Sequence, residues 1–337
     1  MEKAVSELVE RVADADIVVL GESHVVAEHR AFACKFFQSL GNAGFENLCL
    51  ELDHTMEGRI PSVLQLPVEQ DSYIQAFPNR HRRRKYSEIR MGKGSHGYDV
   101  KSQFKLYGQD QSKAYNFLPD MLGNPIAYHS LLKCSAASFK NIRAVDVSIA
   151  MGLADADYLE TMPTLCPSID ILQPTDSEGM ILRNEWMAHK IAQNPKGVKA
   201  VAYVGGLHTT SYKEQDGTLI PSLQSILNQK YGIKAVGVWM TAYTGGYLSD
   251  AIGGHSSLKR FGKIGPLFFK DGIDICSRRN ADNRLPQHLV AFSEDQIFAT
   301  RLKYDPDTID DPKQKYDCLK QEWEHVCRQN GVPEFIL

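Results

Sequence analysis

Short apolar runs alternate along most of the chain with longer segments in which apolar residues recur every three or four positions. The first pattern is typical of strands that are buried on both faces, and the second of helices that bury one side. Their alternation predicts a parallel sheet, because each strand returns to the same end of the sheet through a crossover helix. The predicted strands span residues 17–20, 48–52, 142–147, 198–204 and 233–239.

The helical segments complete this pattern. In the segment 27–44, Phe32, Phe36 and Leu40 lie on one stripe, and Gly44 marks the end. Further helices are predicted at residues 1–16, 125–140, 178–193 and 312–329. We therefore predict an α/β protein with a mostly parallel central sheet flanked by helices on both faces, with a basic insertion and a C-terminal extension.

The alternation stops at about residues 54–119, which contain no long periodic run and exceed an ordinary loop in length. We interpret this segment as an insertion in a core domain of residues 1–245, and residues 246–337 as a C-terminal extension packed on that core. Between Arg80 and Lys105, nine Lys and Arg residues stand against Glu88 and Asp99. A solvated basic loop is favoured there, and an anionic membrane surface is the alternative partner. Nucleic acid is not favoured, because no recognisable binding module surrounds the run.

The composition is that of an ordinary globular protein. Of the 337 residues, 43% are hydrophobic and 23% are charged, and the net charge is -3, which argues against a disordered or fibrous chain. No apolar stretch reaches the roughly 20 residues that a membrane span needs. The seven cysteines form no C-x-x-C pair. We expect a soluble cytoplasmic protein with reduced thiols, although export by an unconventional route would leave no mark on the sequence.

Two predicted strands end in the same kind of turn, GESH at residues 21–24 and GGLH at residues 205–208. The carboxyl ends of parallel strands border the crevice where ligands bind. We therefore predict that Glu22, His24 and His208 face one cleft, where a histidine supplies a metal ligand or a general base. The alternative for each ring is a structural hydrogen bond to the backbone. His29 is either a third nitrogen of the site or a residue of the helix surface.

Two acidic residues lie within apolar strands, Glu51 in the strand 48–52 and Asp146 in the strand 142–147. A carboxylate in such a place is costly unless it is paired, bound to a metal or catalytic. We therefore predict that Glu51 joins the two histidines, and a salt bridge to a basic partner is the structural alternative. The sequence has no dinucleotide-binding, P-loop or serine-hydrolase motif after any predicted strand.

Two longer stretches resemble a known superfamily. Residues 18–53, from VVLGESH to CLELD, resemble the opening of the superfamily that joins erythromycin esterase-like hydrolases, ChaN-like haem-uptake proteins, and the Tiki and TraB proteins. Residues 182–209, LRNEWMAHKIAQNPKGVKAVAYVGGLHT, are similar to its later block. The resemblance covers roughly residues 15–55 and 140–240, in the same order.

The resemblance implies catalytic roles for the residues that match its motifs, which are Glu22, His24, Glu51, Arg183 and His208. Tiki-like members imply metal-dependent peptide hydrolysis, with His24, His208 and Glu51 as ligands of one divalent ion, Zn or Mn. Esterase-like members imply water activation by a histidine and glutamates without an obligatory metal, and ChaN-like members imply haem or iron binding. The first turn is one residue shorter than the G-E-x-x-H of the macrolide esterases, which argues against macrolide hydrolysis. Asn184 stands where many relatives carry an acidic residue.

Three functional hypotheses follow. The leading one is a hydrolase of ester or peptide bonds in a small-molecule or peptide substrate, with Arg183 stabilising an oxyanion or anchoring a substrate anion. The second is a haem- or iron-binding protein without turnover. The third is a bacterial secreted effector or toxin module whose basic insertion contacts the host. The oligomeric state does not follow from the sequence.

Overall fold

The computed structural model describes residues 1–24, 26–65, 124–146, 177–213, 217–244, 247–250, 259–263, 273–279, 286–293, 309 and 311–333. The helices are Glu2–Val12 (α1), Ala27–Asn42 (α2), Ile60–Gln65 (α3), Pro125–Ser138 (α4), Ser177–Ala192 (α5), Gly206–Thr209 (α6), Leu223–Tyr231 (α7) and Pro312–Asn330 (α8), with a 3-10 helix at His54–Arg59. The strands are Ile17–Glu22 (β1), Phe45–Asp53 (β2), Asn141–Asp146 (β3), Lys199–Gly205 (β4), Tyr212–Lys213 (β5), Leu219–Ile220 (β6), Ala235–Thr244 (β7), Tyr247–Asp250 (β8), Lys259–Lys263 (β9), Ile273–Arg279 (β10) and Pro286–Ser293 (β11).

The central sheet has the strand order β10-β11-β7-β1-β4-β2-β3. Every neighbouring pair from β11 to β3 is parallel, and β10 is antiparallel at the edge. β8 pairs with the end of β7 and with β9, both antiparallel, while β5 and β6 form a separate two-stranded sheet. The predicted α/β fold with a mostly parallel central sheet is confirmed.

Helices cover both faces of this sheet, as predicted. Along β1, Val18 and Leu20 face one apolar cluster, to which α1, α2, α4 and α8 contribute. Ile17 and Val19 face a second cluster, to which α5 and α7 contribute. Successive side chains of a strand point to opposite faces, so a strand in the middle of a two-sided core is apolar at every position.

Local sequence sets the start of α4. The Asn124 side chain accepts hydrogen bonds from the backbone nitrogens of Ile126 (3.0 Å) and Ala127 (3.1 Å), and Pro125 occupies the first helical turn. Both features are typical of helix N-termini. The helix ends at Ser138, two residues before the predicted end, because Phe139 adopts an extended backbone and its side chain is buried.

The predicted insertion and the C-terminal segment differ in how they relate to the central sheet. Of the predicted insertion at 54–119, residues 54–65 form the 3-10 helix and α3, and the rest, with the basic run 80–105, lies outside the described residues. The C-terminal segment contributes β10 and β11 to the central sheet, and Trp323 of α8 donates a 2.9 Å hydrogen bond to Ser130 of α4. Among the helices of the described ranges, none has the length and apolar character needed to cross a membrane.

Candidate active site

The order of strands in the sheet brings the predicted site residues together. Glu22 ends β1, Gly205 ends β4, Glu51 lies near the end of β2, and Asp146 ends β3. These strands are neighbours in the order β1-β4-β2-β3, and all are parallel. Their carboxyl ends therefore share one edge of the sheet, where a parallel sheet forms its ligand crevice.

In the first turn, His24 is held by Glu22. Its Nδ1 lies 3.0 Å from Glu22 Oε1, and because an ionised carboxylate only accepts hydrogen bonds, this nitrogen carries a proton. The other ring nitrogen, Nε2, lies 3.0 Å from the position that a Cβ on Gly205 would occupy. The side chain of His24 is 28% exposed, so part of it is open to solvent.

A buried arginine supports the same carboxylate. Arg30 of α2 donates from Nε to Glu22 Oε2 over 3.2 Å, from Nη2 to the backbone oxygen of His24 over 2.7 Å, and from Nη1 to that of Asn124 over 2.5 Å. The Tyr203 hydroxyl also donates to Glu22. Arg30 and Tyr203 were not among the residues predicted for the site. A signal for Arg30 is present in the sequence, as an arginine among the apolar residues of the helix 27–44.

In the second turn, His208 is held by an amide. The short helix α6 turns the ring inward, and its side chain is 4% exposed. Nδ1 lies 2.5 Å from Asn184 Oδ1, and Asn184 Nδ2 donates to the backbone oxygen of Pro221 over 2.7 Å. On the opposite side of the ring, Nε2 lies 3.1 Å from Glu51 Oε1. The role of Asn184 did not follow from the sequence.

Glu51 contacts Arg183, Gly205 and His208 and so connects the members of the cluster. Its Oε2 accepts a 2.5 Å hydrogen bond from the backbone nitrogen of Gly205, and its Oε1 accepts a 2.6 Å bond from Arg183 Nη2. Arg183 also binds both oxygens of Asp146, at 3.2 and 2.6 Å. The guanidinium is therefore directed at two carboxylates, which is the paired arrangement that a buried acid needs.

The two turns touch, and their glycines permit this. A Cβ on Gly21 would lie 2.5 Å from Thr209 Cγ2, and a Cβ on Gly205 would lie 3.3 Å from Glu51 Oε2 as well as close to the ring of His24. The first contact is shorter than two carbon atoms tolerate. The repeated glycine before each histidine is thus required by the close approach of the turns.

The charges around Glu22 shift the ionisation of the first turn. Burial alone would raise the pKa of Glu22, but Arg30 and the hydrogen bonds from His24 and Tyr203 outweigh it and lower this pKa to about 2. Burial alone would lower the pKa of His24, but its hydrogen bond to Glu22 and the negative charges of Glu51 and Glu22 raise the pKa above its usual value. His24 therefore has a strengthened affinity for a proton.

Glu51 is ionised for a similar reason. Burial opposes its charge, yet His208, Arg183 and His24 together hold the pKa of Glu51 well below its usual range. In this cluster the three carboxylates of Glu22, Glu51 and Asp146 face the two guanidinium groups of Arg30 and Arg183. A single protonated histidine would balance the remaining negative charge.

His29 has neither of the two predicted roles. It is fully buried, its Nδ1 accepts a 3.0 Å hydrogen bond from the backbone nitrogen of Ser23, and its ring lies 4.8 Å from the ring of Phe292. Burial lowers the pKa of His29 to about 3. His29 is therefore a buried neutral ring that supports the first turn by accepting the hydrogen bond of Ser23.

A divalent ion in this cleft would take His24, His208 and Glu51 as its ligands, according to the sequence-based prediction. Both oxygens of Glu51 already accept hydrogen bonds, and the Arg183 guanidinium places positive charge 2.6 Å from Oε1. Within the described part of the chain, no group of three His, Cys, Asp or Glu side chains has the arrangement of a metal site. In this arrangement the residues do not fit a metal ion, and metal binding stays a prediction.

Known proteins match this chain in structure. No family model and no curated protein matches the sequence. ChaN of Campylobacter jejuni, whose structure is described as cofacial heme binding, is 13% identical, and the match covers 71% of this chain and 86% of that one with a TM-score of 0.38. A mutant of the erythromycin esterase EreC in its open conformation is 11% identical, and the match covers 85% of this chain and 92% of that one with a TM-score of 0.38. The type III effector HopBA1 is 13% identical, and the match covers 86% of this chain and 93% of that one with a TM-score of 0.40.

The matched structures thus include members of the erythromycin esterase-like and ChaN-like groups that the sequence motifs resemble. They comprise an esterase, a haem-binding protein and a bacterial effector. At TM-scores below 0.5 these similarities do not bear on the chemistry of the cleft, which depends on the residues of this chain.

Proposed function

We propose that this protein is a hydrolase of ester or peptide bonds in which His24 activates water. The orientation of His24 supports the proposal most directly. Its Nδ1 donates to the buried carboxylate of Glu22, so that in the neutral ring Nε2 is unprotonated and lies beside Gly205, on a side chain that is 28% exposed. An imidazole oriented by a carboxylate is a recurrent general base in hydrolytic sites.

In the proposed reaction, water attacks the carbonyl carbon of the substrate while its proton passes to His24 Nε2. The imidazolium that forms is stabilised by Glu22, which it contacts, and by Glu51, whose negative charge also raises the pKa of His24. When the tetrahedral intermediate collapses, the same nitrogen returns the proton to the leaving oxygen or nitrogen. Water thus adds across the cleaved bond, and the histidine ends in its starting state.

Arg183 and His208 act on Glu51 in this mechanism. Arg183 is 7% exposed and binds Glu51 and Asp146, which favours a role in holding Glu51 in place. The sequence-based role, stabilisation of an oxyanion, is therefore not part of the proposal. His208 holds the same carboxylate from the other side. Together Arg183 and His208 hold the Glu51 carboxylate in place, and its negative charge strengthens His24 as a base.

The test compares the wild type with two variants on a p-nitrophenyl ester and a fluorogenic peptide. We expect His24→Gln to lower kcat by about 10²- to 10⁴-fold, the usual contribution of a general base. The matched control is His189→Gln, because His189 lies on α5 and contacts Gln193 and Tyr231, away from the cleft. Equal rates for wild type and His24→Gln on both substrates would overturn the proposal.

Metal analysis of protein purified without chelator separates the two versions of the mechanism. We expect the metal-depleted wild type to keep its activity, because Arg183 stands beside the oxygen that a cation would use. A stoichiometric metal ion whose removal abolishes turnover, and whose binding is lost in both His24→Ala and His208→Ala, would contradict the metal-free version.

A haem titration of the same preparation tests the haem-binding alternative. The hydrolase proposal predicts turnover whether or not haem is added. A shifted Soret band in a stoichiometric complex, combined with no hydrolysis of either substrate, would favour a haem-binding protein without turnover.

A further inference from the structure

Gln287 lies on β11, three strands away from β4, yet its side chain reaches the helix that follows β4. The residue is fully buried, and its Nε2 donates a 2.7 Å hydrogen bond to the backbone oxygen of Thr209, the last residue of α6. Its Oε1 lies 3.5 Å from the hydroxyl oxygen of Thr210. Because a backbone oxygen only accepts hydrogen bonds, the NH₂ group of Gln287 must face Thr209, and its carbonyl oxygen faces the hydroxyl, which can donate.

A glycine permits this contact. Gln287 is paired in register with Gly237 of β7, and side chains at paired positions of neighbouring strands point to the same face of a sheet. A Cβ on Gly237 would lie 3.4 Å from the Thr209 oxygen and 2.8 Å from Gln224 Oε1. The missing side chain at Gly237 therefore lets α6 lie close to β7, within reach of Gln287.

The helix that Gln287 holds carries the second histidine. Thr209 faces Gly21 of the first turn through its methyl group, and His208, which directly precedes Thr209, contacts Glu51. A carbonyl at the end of a helix has no partner within that helix. The amide of Gln287 therefore satisfies Thr209 from outside and holds α6 between the first turn and β7.

We propose that Gln287 is a positioning residue, which holds α6 by its hydrogen bond to Thr209 and thereby keeps His208 in contact with Glu51. The C-terminal segment is then part of the framework of the active site, because one of its strands supplies this hydrogen bond. The catalytic consequence rests on the proposed hydrolase function, whereas the position of α6 does not.

Hydrogen exchange of the full chain, measured by mass spectrometry in peptides that contain residues 205–210, tests the position of α6 without a substrate. We expect Gln287→Leu, which removes the hydrogen bond, to increase exchange in these peptides. The matched control is Asn228→Leu, which removes another amide that donates to backbone oxygens, those of Gln224 and Ala235. It should leave exchange at 205–210 at the wild-type level. Unchanged exchange in Gln287→Leu, or an equal increase in both variants, would overturn the inference.

Gln287→Glu provides a second test, which is reversible with pH. A protonated carboxyl can donate to Thr209 as the amide does, whereas an ionised carboxylate only accepts and would repel the Thr209 oxygen. Burial raises the pKa of a carboxyl, because it disfavours the charged form. With an ester substrate we expect kcat of Gln287→Glu, divided by the wild-type kcat at the same pH, to be close to one in acid. This ratio should fall roughly tenfold as the pH rises through the pKa of the introduced group.

The control for this second test is Asn228→Asp, in which the introduced carboxyl would face the backbone oxygens of Gln224 and Ala235 instead of α6. Its kcat ratio should stay constant over the same pH range, and circular dichroism at each pH restricts the comparison to folded protein. A ratio for Gln287→Glu that is independent of pH, or that changes equally in Asn228→Asp, would refute the catalytic consequence. If His24→Gln has the wild-type rate, the hydrolase proposal itself fails, and the exchange experiment still decides whether Gln287 holds α6.

Discussion

The two histidine turns follow adjacent parallel strands and share the pattern G-x-x-H, yet the structure supports them by different chemistry. The first turn is supported by charge, because Glu22 holds His24 and the buried Arg30 holds Glu22. The second is supported by neutral groups, because Asn184 and the Pro221 carbonyl hold His208. The His24 side chain is 28% exposed and that of His208 only 4%.

Two turns of the same sequence pattern therefore need not have the same role. A charged support stabilises a proton on the ring that it holds, and it makes that ring sensitive to pH. A neutral support fixes direction and leaves the charge of the ring to its other neighbours. The comparison assigns proton transfer to the exposed His24 and orientation of Glu51 to the buried His208.

Removing the charged support should cost the most stability. Arg30→Met leaves the Glu22 carboxylate buried without its cation, which typically costs about 3–5 kcal/mol. The free energy of unfolding from denaturant titration measures this loss, and the double variant Arg30→Met/Glu22→Leu should recover much of it. On the neutral side, Asn184→Leu should cost about 1–3 kcal/mol, the penalty of an unpaired polar group. Equal losses on the two sides would remove the distinction between charged and neutral support.

The first turn should also be sensitive to acid. The pKa of His29 falls from 6.5 in a free ring to about 3 in the fold. Below pH 6.5 the unfolded chain therefore binds a proton that the folded chain does not, and folding stability decreases as the pH falls. The slope is about 1.4 kcal/mol per pH unit for one such group. Between pH 6.5 and 4.5, above the range where Glu22 titrates, His29→Leu should be less sensitive by about this amount. A slope identical to that of wild type would contradict the prediction.

The pH profile of hydrolysis should report the same charged support. His24 acts as a base only when it is unprotonated, so kcat/KM should rise with pH through the raised pKa of His24. Glu22→Gln keeps an acceptor for Nδ1 and removes the charge, which should move the midpoint to lower pH by about one unit. Asn184→Leu serves as the comparison, because it leaves Glu22 intact. A midpoint that stays in place or rises in Glu22→Gln would show that another group limits the rate.

The smallest effect concerns the contact between the turns. Gly205→Ala adds a methyl group 3.0 Å from His24 Nε2 and 3.3 Å from Glu51 Oε2, which should displace the ring and lower kcat roughly tenfold. Gly58→Ala is the matched control, since nothing lies within 4 Å of the added atom. Thermal unfolding of both variants separates displacement of the ring from general loss of stability. Unchanged turnover in Gly205→Ala would mean that the position of His24 tolerates more freedom than the mechanism allows.

Much of the architecture was predictable, because it depends on local apolar patterns. Strand positions agreed within a few residues, as for the predicted strand 198–204 and the observed Lys199–Gly205. Helix ends agreed less well, since an end depends on packing as much as on the sequence around it. The helix predicted to end at residue 44 stops at Asn42, and the strand order that makes β4 a neighbour of both β1 and β2 left no local signal.

The residues of the candidate site were likewise predictable only in part. The glycines, the histidines and Glu51 were visible in the sequence, because an acid or a histidine at the end of an apolar strand is conspicuous wherever it stands. Arg30, Tyr203 and the hydrogen-bonding role of Asn184 were not, because an arginine, a tyrosine or an asparagine within a helix or strand has many ordinary explanations.

The apolar pattern of the sequence is enough to predict a layered α/β chain, and its motifs identify the groups that could perform chemistry. The fold alone brings the guanidinium of Arg183 to Glu51 and Asp146, and it alone gives His24 a charged partner and His208 an amide. Hydrogen bonds and ion pairs act over a few ångströms, and the fold brings their partners together from distant positions, such as Tyr203 and Glu22, which are 181 apart in the chain.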